Sequence, residues 1–409
     1  MQAKNRRFRA GRSTYVCKHV SDSGEYMNQI YFDNGSTSWP KAPGVPEAMA
    51  DLLAHGAFNI NRGNYEGAYE IEGVVLDTRE QLTRLFHVKN SKGVVFTPSV
   101  TYSLNLFIKG FLKPGDHVIV TGLEHNAVMR PLEQMKAVGV DYDIARTDRD
   151  GNLDLEHLKS LIGDSTRAVL VTHASNVCGT VVPIEEIGKI CQEHDLIFAV
   201  DTAQTAGTLD IDMENCGIDF LAFTGHKGLL GPQGIGGFLI SERLDRDMKP
   251  LIAGGTGSQS DSLLMPENLP DKYESGTMNL PGIIGLHTAL SYLEEQGIER
   301  IHDRKMSLTG YFLERVSENS KIRIVGRKDL EHRVAVVSLD FQKVDNAVAA
   351  FELEQAAGIM TRVGLHCAPV AHRSLGTFPQ GTVRFAFSAS NTEEEIDICI
   401  EEINKIAYI

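Results

Sequence analysis

Short runs of consecutive apolar residues recur along the first two thirds of the chain, separated by stretches in which apolar positions return every three or four residues. The runs are GVVFT (93–97), DHVIV (116–120), RAVLVTH (167–173), LIFAV (196–200), FLAFT (220–224) and GGFLIS (236–241). A strand covered on both faces reads as an unbroken apolar run, so this alternation predicts an α/β fold built on a mainly parallel sheet with helices on both sides. In open sheets of this kind functional residues gather where strands end. His173, Asp201 and Thr224 stand at such ends.

After Gly282 the pattern changes. The text IIGLHTALSYLEEQGIERIHDRKMSLTGYFLERV has helical periodicity and predicts one or two long helices. Strand-like RVAVVSLDF (333–341), a helix around 345–358, strand-like TVRFAF (382–387) and a terminal helix opening on NTEEE, a capping signature, complete a second, smaller α+β unit. The chain therefore divides into an N-terminal segment (1–27), a large unit (28–285) and a small unit (286–409). The Gly/Ser/Pro-rich stretch 254–277 predicts a long loop, and long loops in compact enzymes are usually functional.

Composition narrows the field. The chain has 409 residues, 42% hydrophobic and 23% charged, enough to bury a large core. Its formal net charge of −14 disfavours nucleic acid or an anionic membrane as the main partner. The first twelve residues, MQAKNRRFRAGR, are basic but have no apolar stretch behind them, so they read as a solvated tail and not a secretory signal. No apolar run is long enough to span a bilayer. Six scattered cysteines without a C-x-x-C pair suit reduced thiols in a cytoplasm.

The candidate chemistry centres on Lys227, in FTGHKGLLGPQG (223–234), just past a predicted strand. A lysine among small residues can form an imine with an aldehyde cofactor. Asp201, ending LIFAVD, can keep a pyridine nitrogen protonated so that the ring accepts electrons. The turn into the helix of VVFTPSVTYSLNLFIKG (94–110) offers N–H groups near Val100 and Thr101 to an anion, although Ser99 or Thr101 can equally serve as a plain helix cap. The glycines at 231, 234, 236 and 237 precede a strand, which is the wrong context for a dinucleotide loop. Cys367 lies in a loop punctuated by Gly, His and Pro. Arg362, His366 and His372 are ionisable groups able to favour its thiolate. The spacing of His366, Cys367 and His372 matches no usual zinc pattern, so no metal is expected. Arg384, in TVRFAF, needs a partner among its apolar neighbours: an internal carboxylate or a substrate carboxylate held by its planar fork.

From about residue 28 to residue 400 these motifs resemble, in order, those of the pyridoxal-phosphate (PLP) enzymes of the aminotransferase class V family, and within it the SUF-type cysteine desulfurases and selenocysteine lyases. The series is the helix-start turn, His125, Asn176, Asp201 with Gln204, Thr224-Gly225-His226-Lys227, Glu274-Ser275-Gly276-Thr277, R-x-G-x-H-C-A-x-P around Cys367, and GTVR with Arg384. Val100 departs from it, standing where SUF-type enzymes often have a hydroxyl residue. The resemblance implies PLP-dependent transferase fold type I, with a seven-stranded sheet in the large domain and pyridoxal 5'-phosphate as cofactor. It further implies that Lys227 holds the cofactor, His125 stacks on its ring and relays protons, and Asn176 stands near the ring oxygen and the substrate carboxylate. Val100, Thr101, Gln204, Thr224 and His226 would serve the phosphate, with Thr277 from a neighbouring subunit, hence a homodimer. Arg384, with Arg362, would bind the substrate, and Cys367 would receive sulfur. The implied reaction converts L-cysteine to L-alanine through a persulfide passed to an acceptor protein or small thiol. L-selenocysteine as substrate, or a carbon–sulfur lyase or epimerase not using Cys367, are the alternatives.

Overall fold

The computed structural model describes residues 29–56, 58–60 and 63–408, so the basic segment 1–27 lies outside the described residues. The described chain begins with a two-residue strand, β1 (Ile30–Tyr31). Seven strands then form one sheet: β2 (Val94–Thr97), β3 (His117–Thr121), β4 (Asp141–Ala145), β5 (Thr166–Thr172), β6 (Ile197–Asp201), β7 (Phe220–Thr224) and β8 (Gly236–Ile240). Their order is β2-β8-β7-β6-β5-β3-β4. Only β8 runs against its neighbours, pairing antiparallel with β2 (Val94↔Leu239) and β7 (Phe220↔Ile240). The sheet is therefore mainly parallel, as the apolar runs predict, with β4 as a seventh strand at its edge.

Alternation along β6 shows how the sheet feeds two cores. Phe198 and Val200 pack into one cluster, and Ile197 and Ala199 into another on the opposite face. Each large side chain buried in this way contributes about 1.5–3 kcal/mol. Helix Val100–Phe111 covers one face through Leu104, Phe107, Ile108 and Phe111, the spacing of a single helical stripe. At its start Ser99 Oγ accepts the Tyr102 N–H at 3.3 Å, so Ser99 is the cap.

Helices Leu280–Gln296 and Ile298–Ser317 are two, separated at Gly297, whose φ of 79° breaks the helical path. A second, antiparallel sheet follows, made of β9 (Ile322–Val325), β10 (Val336–Phe341), β12 (Arg362–Gly364) and β13 (Thr382–Ala386), in the order β12-β13-β10-β9. The short β11 (Ile359–Met360) pairs parallel with β1, in the register Ile30↔Ile359. Ile30 and Phe32 pack into the core of this second sheet, beneath helices Ile298–Ser317 and Glu393–Ile406. The terminal helix carries the capping box expected from NTEEE: the Glu395 N–H donates to Thr392 Oγ1 and the Thr392 N–H to Glu395 Oε2. No helix among the described residues is long and apolar enough to cross a membrane.

Candidate active site

The ends of β3, β5, β6 and β7 converge with the turn before helix Val100–Phe111 and with the loop after β12. Asp201, the last residue of β6, is 2% exposed, and its Oδ1 accepts the Ala203 N–H at 2.9 Å. Burial raises its proton affinity, while the Ala203 hydrogen bond and the positive Lys227 oppose the rise. Lys227 lies three residues past β7 and is largely buried. Burial pushes its amine down to about 8; Asp201 pulls it up, and Arg384 and Arg362 push it down further. Each group thus acts on the other's charge.

His125 is the N-cap of helix Asn126–Lys136, and its Nδ1 accepts the Ala127 N–H at 3.0 Å. That bond places the remaining imidazole proton on Nε2. Burial, with the positive charge of Lys227 adding to it, holds the ring neutral, with a pKa lowered to about 4. His125 can therefore stack and donate through Nε2, and it takes up a proton only by giving up its cap.

The other cofactor candidates lie nearby in different states. Thr224 Oγ1 and His226 Nδ1 are buried without a hydrogen-bond partner, which fits a bound anion where the resemblance puts the cofactor phosphate. Burial and the charges of Lys227 and Lys41 keep His226 neutral, at about 4. The Gln204 Nε2 donates to the Gly35 carbonyl at 3.1 Å. Val100 and Thr101 form the first turn of their helix, behind the Ser99 cap. Thr277 lines a cavity of about 210 Å³ with Thr97, Pro98 and Tyr102. Beneath that loop Arg79 and Glu274 form a buried two-pronged pair, at 2.9 and 2.7 Å.

Cys367 is exposed. Both it and His366 adopt left-handed backbone, at φ 57° and 48°, which is strained for side-chain-bearing residues. Two hydrogen bonds hold the strained pair. The Asn126 N–H donates to the Cys367 carbonyl at 2.8 Å, and Asn176 Nδ2 to the His366 carbonyl at 2.8 Å. Asn176 thus fastens the cysteine loop, a role its sequence context did not reveal. The expectation that His366 and His372 supply positive charge to the thiol is corrected. Both are buried and bonded to the hydroxyls of Thr382 and Thr377, and burial lowers them to about 2 and about 4. Arg362 is the cation that remains on this loop.

Arg384, on β13, is 2% exposed. Of the two partners its setting left open, the structure supplies the internal one: Nη2 donates to Asp33 Oδ1 at 2.9 Å and Ser36 Oγ at 2.7 Å, and Nη1 to the Asn176 carbonyl at 3.0 Å. Its Nε is buried without a partner. Arg362, paired across the strands with Arg384, donates to the same Ser36 at 3.1 Å. A Cβ on Gly35 would lie 3.1 Å from the Arg384 Cζ, so a glycine lets the chain pass the guanidinium closely. Sequence reasoning missed Asp33, Gly35 and Ser36. It also missed Glu124, which is fully buried beside His125.

A family model described as Aminotransferase class-V matches residues 30–399. A probable cysteine desulfurase of Methanothermobacter thermautotrophicus is 32% identical over 93% of this chain and 95% of its own. The cysteine desulfurase of Haloferax volcanii is 32% identical over 94% of this chain and 92% of its own. Among solved structures, the apo cysteine desulfurase of Thermococcus onnurineus superposes with a TM-score of 0.87 at 31% identity, covering 93% of this chain and 95% of that one. The family model spans nearly the whole described chain, and the relatives align along almost all of their length: the chain belongs to the aminotransferase class-V family.

Proposed function

We propose that this chain is a PLP-dependent cysteine desulfurase, converting L-cysteine to L-alanine and passing the sulfur through Cys367 to an acceptor. The observation that carries the reading is the tie between the two halves of the chemistry: the helix capped by His125 holds the carbonyl of Cys367 through its first N–H. That tie supports a reading in which Cys367 acts as nucleophile on a substrate held at Lys227. The cysteine desulfurase names of the relatives agree with it.

Lys227 would anchor the cofactor, Asp201 would face its ring nitrogen, His125 would cover its ring, and Thr224, His226, Gln204 and the Val100–Thr101 turn would serve its phosphate. When bound, the cofactor supplies an electron sink for the bond-breaking at the substrate α-carbon. Lys227, with an amine already depressed to about 8, is suited to take the α-proton near neutral pH. Arg384, helped by Arg362 and Asn176, would receive the substrate carboxylate, exchanging its bond to Asp33 for one to the ligand. The Cys367 thiolate then attacks the substrate sulfur: the new S–S bond forms as the carbon–sulfur bond breaks, leaving a persulfide on Cys367. Its exposure gives an acceptor protein or small thiol access to that persulfide. The free cysteines, five among the described residues, suit a reducing cytoplasm. Thr277 would complete the phosphate site of a second copy in a homodimer.

The test is a product assay. Wild type should release alanine from L-cysteine and carry sulfur to an added thiol, whereas Cys367→Ala should lose the transfer. A variant that transfers sulfur at the wild-type rate removes Cys367 from the mechanism. L-selenocysteine run in parallel decides between the desulfurase and selenocysteine lyase readings.

A further inference from the structure

Glu124 is fully buried between strand ends, and its Oε1 accepts three hydrogen bonds: from Thr121 Oγ1 at 2.6 Å, the Thr121 N–H at 3.4 Å and the Thr172 N–H at 3.0 Å. The first two close the turn between β3 and His125. The third reaches across to the end of β5, where Thr172 is the register partner of Asp201. The next residues continue the series: His125 caps the helix and Asn126 holds Cys367. Three consecutive residues therefore fix, in turn, the sheet edge, the ring-facing imidazole and the nucleophile loop.

We propose that Glu124 is a positioning residue for the proposed reaction: its carboxyl clamps the ends of β3 and β5 and thereby sets the placement of His125 and of the helix start that holds Cys367.

Its other oxygen, Oε2, is buried without a hydrogen-bond partner among the described residues. An ionised carboxylate is costly in such a place. Burial raises its pKa to about 8, against the pull of the Thr121 and Thr172 hydrogen bonds and with the help of the negative Asp201. Burial thus favours the uncharged acid at this position. In that form it satisfies the strand-end donors without adding a negative charge near Asp201.

The inference rests on the desulfurase reading for its kinetic arm only, and the other measurements use the cofactor-free protein. In the infrared, the wild-type protein at pH 7 should show a protonated-carboxyl stretch that disappears in Glu124→Gln and survives in an Asp201→Asn control. The ¹⁵N shifts of His125 should report the Nε2–H tautomer in wild type and Glu124→Gln, and a tautomer mixture in Glu124→Ala. With cofactor, Glu124→Gln should hold kcat for alanine formation within about threefold, whereas Glu124→Ala should lose about tenfold to a hundredfold in kcat with KM little changed, the scale of a misplaced catalytic group. Glu124→Ala that loses only thermal stability while keeping kcat and the His125 tautomer overturns the proposal. Glu124→Gln that falls as far as Glu124→Ala overturns the uncharged clamp. If Glu124→Ala fails to fold, the infrared band and Glu124→Gln decide. If wild type releases no alanine, the desulfurase reading fails, and the infrared and ¹⁵N results still stand or fall for the clamp.

Discussion

The amine of Lys227 is held against its preference for charge, and this should be measurable in the protein without cofactor. Its pKa falls from an ordinary 10.5 to about 8, mainly through burial. Each tenfold change in proton affinity is worth about 1.4 kcal/mol, so the penalty of keeping this lysine protonated in the fold is on the order of 3 kcal/mol. The sign follows from the folded value lying below the unfolded one. The penalty is full below pH 8, where both states are protonated, and disappears as pH rises towards 10.5, where the unfolded chain also loses its proton. Lys227→Met should therefore make the cofactor-free protein more stable at pH 7 by up to about 3 kcal/mol, and at pH 10 by about 1 kcal/mol or less. Asp201 loses its positive neighbour in the same substitution. The pull between the two is already contained in the value of about 8 and is absent at pH 10, where the folded amine has lost its proton, so the narrowing of the gain between the two pH values is the diagnostic quantity. Urea denaturation of both proteins at the two pH values provides the assay. A stability difference that stays constant from pH 7 to pH 10 would refute the reasoning, because it would mean that Lys227 titrates alike in the folded and unfolded states.

Other substitutions test separate parts of the site. Because Cys367 sits at φ 57°, Cys367→Gly should be about 1 kcal/mol more stable than Cys367→Ala by thermal denaturation, although both lose sulfur transfer; equal stabilities would mean that the loop is unstrained. Arg79→Met strands the buried Glu274 and should cost about 3–5 kcal/mol in urea denaturation; a loss under about 1 kcal/mol would show the pair to be dispensable. Gly35→Ala places a methyl 3.1 Å from the Arg384 Cζ, so KM for L-cysteine should rise about tenfold with kcat little altered; an unchanged KM would show that Arg384 does not hold the substrate.

Six strands of the large sheet were readable because strands buried on both faces leave continuous apolar runs. The edge strand β4, DYDIA, escaped for the opposite reason: it is charged and mostly exposed, so it leaves no run. The reversal of β8 was also invisible, since direction depends on the connection and not on the residues of the strand. β1 and β11, two residues each, are too short to show any period. In the site, Lys227 and Asp201 stood out because a cation and a carboxylate at the ends of apolar runs are chemically conspicuous. The partner of Arg384 could not be read, because Asp33 lies 351 positions away. His366 and His372 misled for a physical reason: sequence shows an ionisable ring but not the burial that keeps it uncharged.

The distance between Asp33 and Arg384 also bears on when this protein can become competent during synthesis. The nascent β1 segment leaves the ribosome well before the strands it joins, β11 and β13, are made. The large sheet can assemble while translation continues. The guanidinium clasp must wait until Arg384 has emerged, 351 positions after Asp33, so a chain terminated before it would carry the lysine and its aspartate without the arginine end of the pocket.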